Sequence, residues 1–202
     1  MAARIKTDQL LLVIFLWVAI SLTPLESWLE NDIRLHMLVQ IPILAMLGYY
    51  FFNSLVPDKS EEINTKQSGY ASVLVASFTT LYWMIPKSLD AALSYEMIAL
   101  LKYLSIPLLI GVPLAMGWRR VGSIFRGFII IELLAMLFRL GWLYRDSPIR
   151  LCSNYGLYEQ NSLGNYLLVI ALSLSLYWAT KCFYPDTDTF STNINSDSHT
   201  MK

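Results

Sequence analysis

One histidine stands inside an apolar stretch of this chain. His36 is followed by Met37, and Gln40 stands four residues on, so His36 and Gln40 share one helix face. An imidazole with thioether neighbours suits a soft ion such as Cu(I), whereas carboxylate-only sets suit magnesium or calcium. Further sulfur donors are Met84, in Tyr82-Trp83-Met84-Ile85-Pro86, and Met97, next to Glu96. His36, Met37, Met84 and Met97 are therefore the candidate copper ligands. Each has a plainer reading. A methionine in an apolar helix often fills packing gaps, and a histidine at a helix end can bond a loop. Lys102 and Arg139 either snorkel to headgroups or pair with Glu96 or Glu159.

Other chemistries find little footing. His199 lies in a polar tail, which leaves His36 as the useful imidazole. The sequence has no G-x-S-x-G elbow, no H-E-x-x-H, no C-x-x-C and no phosphate-cradling glycine loop. The pair Arg119-Arg120 flanks an apolar block, as a topology anchor does, so no nucleic-acid partner is expected. The expectation is a protein that is not an enzyme.

The elements that must position these residues follow from composition. The 202 residues are 55% hydrophobic and only 15% charged, with 15 Lys+Arg against 15 Asp+Glu and a mean hydropathy of +0.48. Soluble domains carry about 25% charged residues. The apolar residues come in blocks at Leu10–Leu22, Leu35–Phe52, Gly69–Pro86, Met97–Trp118, Phe128–Leu143 and Leu163–Phe183. Most approach the roughly 17–25 residues that cross a bilayer as a helix. Strand alternation is absent, which disfavours a barrel. The first block has the length of a signal-peptide core, but no small-x-small cleavage site follows it, and it reads as a retained span. The expected fold is an all-α, polytopic membrane helix bundle of about six transmembrane helices over residues 1–183. A disordered cytoplasmic tail, 184–202, would follow.

Basic residues set the orientation. With the N-terminus inside, the inner side holds Arg4, Lys6, Lys59, Lys66, Arg119, Arg120, Arg126, Lys181 and Lys202, against Arg34, Lys87, Arg145 and Arg150 outside. Both termini are then cytoplasmic, in a bacterial inner (plasma) membrane. Tyrosines and tryptophans at the block ends form an interfacial belt. This places His36, Gln40, Met84, Met97, Lys102, Tyr103, Glu159 and Gln160 near one depth on the outer side, with Glu132 nearer the inner side. Cys152 falls outside, within reach of an impermeant thiol reagent, and Cys182 inside.

The order of these motifs resembles the CtaG-type cytochrome c oxidase assembly proteins, membrane proteins tied to copper delivery. The likeness spans about residues 30–175. His36-Met37-Leu38-Val39-Gln40 occupies the place of the family's His-Met-x-x-His, and Trp83-Met84-Ile85-Pro86 that of Trp-His-x-Pro. Lys102-Tyr103-Leu104-Ser105 is similar to a Glu-His-Leu-Ser-like run, and Glu159-Gln160 with Gly164 to Asp-Gln and a following glycine. His36 keeps the first family histidine, while Gln40, Met84 and Tyr103 stand where three others would be. The family usually has a seventh span; six are read here.

The resemblance implies an assembly factor that handles Cu(I) at the periplasmic face for maturation of cytochrome c oxidase or another membrane copper enzyme. Gln40, Tyr103, Glu159 and Gln160 would orient the ligands or face a partner. The expected partners are membrane lipid, the oxidase or other copper-enzyme subunit, and a periplasmic copper chaperone. The alternative is a structural or accessory subunit of a respiratory or other membrane complex without metal. Its outer polar cluster would then be interhelical hydrogen bonding, worth about 0.6 kcal/mol per contact. A small transporter is disfavoured, since no spans are unwound by paired glycine and proline in matching halves.

Overall fold

The computed structural model describes residues 2–21, 25–55 and 66–183. The tail expected to be disordered lies outside the described residues, as does the loop 56–65. All regular structure among the described residues is helical: α1 (Ala2–Ser21), α2 (Leu25–Glu30), α3 (Ile33–Leu55), α4 (Lys66–Trp83), α5 (Pro86–Ser94), α6 (Glu96–Gly117), α7 (Ser123–Asp146) and α8 (Leu157–Phe183).

The helix boundaries follow from local chemistry. Asp32 caps α3 by accepting from the Arg34 amide at 2.8 Å. Ile85 is extended because Pro86 follows it, and Pro86 opens α5 where its missing N–H costs nothing. Tyr95 is again extended (φ −131°, ψ 119°) and separates α5 from α6. At the start of α8 the Gly156 amide donates to Glu159 Oε2 at 3.2 Å, the reach-back half of a capping box.

Two helices carry π-helical turns, His36–Gln40 in α3 and Ile106–Gly111 in α6. Pro107 accounts for the second. It has no N–H to give to the carbonyl four residues back, at Tyr103. That carbonyl accepts instead from Trp17 Nε1 of α1 at 3.0 Å. The proline thus couples a widened turn in α6 to the docking of α1.

Close approach at glycines draws the helices together. A Cβ on Gly48 of α3 would fall 2.0 Å from the Pro107 carbonyl oxygen, and one on Gly111 of α6 would fall 2.3 Å from Ala45 O. Gly117 and Gly69 join α6 to α4 in the same way, and Gly141 and Gly164 join α7 to α8. Small residues at helix contacts are the usual device where lipid replaces water and the hydrophobic effect between helices is lost.

Part of the expected set of about six spans is visible in the helices themselves. Among the described residues three helices are long and apolar enough to cross a membrane: Ile33–Leu55, Glu96–Gly117 and Leu157–Lys181. Leu10–Ser21 is apolar but shorter. Helices α4 and α7 occupy the places expected of spans but are not among these three; in α4 the serines and threonines lower the apolar content. The α4 hydroxyls are bonded within the helix. Ser72, Ser77, Thr79 and Thr80 each donate to the carbonyl four residues back at 2.8–2.9 Å. Glu132 and Arg139, two turns apart on one face of α7, pair at 3.4 Å.

Candidate functional site

Most of the buried polar residues described gather where α2, α3 and α6 meet. His36, Gln40 and Lys102 are 0–1% exposed and Tyr103 is 5% exposed. His36 and Gln40 come from the π turn of α3, Lys102 and Tyr103 from the turn of α6 just before its own π segment. Glu30, the last residue of α2, meets them. Lys102 Nζ donates to Glu30 Oε1, and the Tyr103 hydroxyl donates to the same oxygen at 2.8 Å. Gln40 Nε2 in turn donates to the Tyr103 hydroxyl oxygen at 2.8 Å. The ammonium also lies 4.4 Å from the centre of the Tyr103 ring. One negative and one positive charge therefore face each other inside a polar cage, the arrangement that makes burial of either affordable.

His36 stands beside this cage without joining it. Its Nδ1 lies 4.0 Å from Glu30 Oε1, beyond hydrogen-bond reach. Neither ring nitrogen has a hydrogen-bond partner among the described residues, and Gln40 Oε1 has none. Lys102 is near enough to act on the imidazole electrostatically.

The expected metal set is only partly brought together. Met37 is buried in the core and Met84 packs against it half-buried. Met97 is 78% exposed and points away from the interior that holds His36. It opens α6 on the outward face, a direction that the sequence spacing left undefined. Among the described residues no group of three His, Cys, Asp or Glu is placed to hold a metal ion.

The remaining expected site residues, Glu159 and Gln160, lie in the first turn of α8 and bond to the segment 147–156 between α7 and α8. Glu159 caps α8, as described above, and does not face His36. Gln160 is 2% exposed. Its Oε1 accepts from the Leu151 amide at 2.8 Å, while Nε2 donates to the Ile149 and Tyr144 carbonyls at 3.3 and 3.4 Å. Lys102 pairs with neither Glu96 nor Glu159, and Arg139 pairs with Glu132.

This segment is strapped across the top of α5. Asp90 accepts from the Ser153 hydroxyl at 2.5 Å and from the Asn154 amide and side chain at 3.1 and 2.9 Å. Partial burial raises the Asp90 carboxyl, and these hydrogen bonds outweigh it, leaving its pKa below the ordinary value. Cys152 is 2% exposed, and its thiol donates to the Pro86 carbonyl at 3.7 Å. Burial pushes that thiol up to about 11, against a lowering by the Tyr144 hydroxyl. The exposed, reagent-accessible cysteine expected on this side is therefore corrected to a buried and unreactive one. The Tyr155 hydroxyl donates to the Glu30 carbonyl at 2.7 Å and ties the strap to the polar cage.

Among the described residues the arrangement is a helical bundle with three helices apolar and long enough to cross a membrane and a buried polar centre in which Lys102 is paired with Glu30. No family model, curated protein or solved structure matches the chain.

Proposed function

We propose that this chain is a polytopic protein of a bacterial inner membrane that serves as an accessory or assembly subunit of a membrane complex and works through its helix surfaces without a bound metal. In this reading α1, α3, α4, α6, α7 and α8 are the six spans, both ends are cytoplasmic, and the polar centre fixes how α2, α3 and α6 pack. The observation that carries it is the Lys102–Glu30 pair with Tyr103 and Gln40. Its charges and most of its donors are used within the bundle, as a packing device requires and a metal site does not. The Gly48–Gly111 contact and the α4 hydroxyls bonded to their own helix support the membrane reading.

A Cu(I)-handling assembly role of the CtaG type is the second reading. One observation favours it: His36 is buried with both ring nitrogens unpartnered, and buried Met37 follows it.

Anaerobic Cu(I) loading of the purified protein separates the two. The accessory reading expects trace copper that His36→Ala and Met84→Leu leave unchanged, and co-migration with a membrane complex on native gels that survives His36→Ala. Close to one copper per chain, reduced by both variants, would overturn it in favour of the second reading.

A further inference from the structure

An apolar cavity of about 460 Å³ lies away from the polar centre, among α3, α4, α6 and α7. Tyr49, Ala76, Thr80, Leu114, Trp118 and Met136 line it. The hydroxyls of Ser77 and Thr80 in its wall are already bonded to Val73 O and Ala76 O, so they present no free donor to an occupant. Glu132, the one charged residue of the wall, has Arg139 as its partner. A wall of this kind suits a hydrocarbon chain.

Trp118 lines the cavity, and the chain continues from there into Arg119. The link between α6 and α7 carries Arg119 and Arg120, the first turn of α7 carries Arg126, and no Asp or Glu occurs between Glu96 and Glu132. Arg126 folds this turn by donating from Nε to Val121 O and from Nη2 to Arg119 O, both at 3.1 Å. The Arg119 side chain is left exposed. Beside the turn, Ile124 and Phe128 are 93% and 60% exposed, which is costly in water and ordinary in acyl chains. An excess of arginine next to exposed apolar side chains and an open hydrocarbon groove complements one kind of molecule.

We propose that the groove and the arginine turn together hold an anionic phospholipid, with an acyl chain along α4, α6 and α7 and its phosphate at the Arg119–Arg126 turn. This rests on the membrane reading above. Phosphate recognition by arginine supplies the headgroup preference, and the apolar wall holds the chain without regard to the headgroup. Glu132 lies six residues beyond Arg126 along α7, about 9 Å deeper, so it faces the chain and not the phosphate.

The test uses the full chain in detergent, titrated with phosphatidylglycerol or phosphatidylcholine of identical acyl chains and read by native mass spectrometry. The expected result is preferential retention of phosphatidylglycerol, about fivefold for one basic contact. Arg119→Glu should abolish that preference, and Ser77→Phe, which fills the groove, should lower retention of both lipids. Helical content by circular dichroism confirms that each variant is folded, and Ser77→Leu serves as a milder filling variant. Equal retention of both lipids by the wild type, unchanged retention in folded groove-filled variants, or a dimer that covers the groove in place of lipid would each overturn the proposal. Alkaline extraction of membranes keeps the two failures apart. A chain that stays in the membrane pellet but shows no lipid preference lacks the site, whereas a chain released by alkali refutes the membrane reading itself.

Discussion

Glu30 does more in this protein than its place in the sequence announces. It accepts from both Lys102 and Tyr103, and its own carbonyl takes the Tyr155 hydroxyl. Glu30→Leu leaves the fully buried Lys102 ammonium without its counter-charge. The expected loss is about 3–5 kcal/mol, toward the low end because the Glu30 side chain is 15% exposed. Denaturant unfolding in detergent measures it. Tyr103→Phe removes a donor to Glu30 and the acceptor of Gln40, and should cost about 1–3 kcal/mol; a change within error would show that water replaces the hydroxyl. The sequence brings His36, Gln40, Lys102 and Tyr103 to one depth because helical spacing and apolar flanks fix depth well. It does not expose Glu30, which stands before the start of α3 in a polar stretch without periodicity. Nor does spacing fix direction at a helix end, which is why Met97 reads as a ligand and turns out to face outward.

At the scale of elements, the helices hold together at glycines and at one strap. Gly48→Val would drive a side chain into the Pro107 carbonyl, where backbone cannot move aside cheaply, and should cost at least the 1–3 kcal/mol, approximately, of an overpacked core. Gly127→Ala meets nothing within 4 Å and should be neutral or slightly stabilising in the interior of α7. Equal stability loss in the two would refute the close-packed α3–α6 contact. The strap carries a pH dependence. Asp90 has its folded pKa below the ordinary carboxylate value, so its contribution is fully present above that ordinary range. It is lost as pH falls through the depressed folded value. Thermal unfolding of wild type and Asp90→Asn should therefore differ at neutral pH and converge in acid. A difference that persists in strong acid would mean that the carboxylate charge is not what holds Ser153 and Asn154. Apolar block lengths locate most of these helices to within a few residues. The π turns stay hidden, because a proline alone does not say whether a helix kinks, breaks or widens.

The described residues form an apolar helical bundle whose charges include the Lys102–Glu30 cage and the Glu132–Arg139 pair of α7. Composition made the helical class legible, since long apolar blocks of low charge have few other solutions. Three of the expected apolar blocks are helices of membrane-spanning length and composition, while α4 carries self-bonded hydroxyls and α7 a paired Glu132 and Arg139 that block length alone does not reveal. The segment 147–156 looked like an open outer loop and is instead folded over α5, so Cys152 should react with a maleimide only after denaturation. Rapid labelling of the native protein would contradict the strap.

The central claim is that Glu30 and Lys102 act as a single packing unit, and a double-mutant cycle tests it most directly. Glu30→Leu, Lys102→Met and the double variant are compared with wild type by unfolding in detergent. The account predicts strong non-additivity: each single variant is severely destabilised and the double variant recovers most of the loss, with a coupling of more than about 1 kcal/mol. Additive losses would show that the two side chains contribute independently, and that the polar centre does not organise the bundle as described.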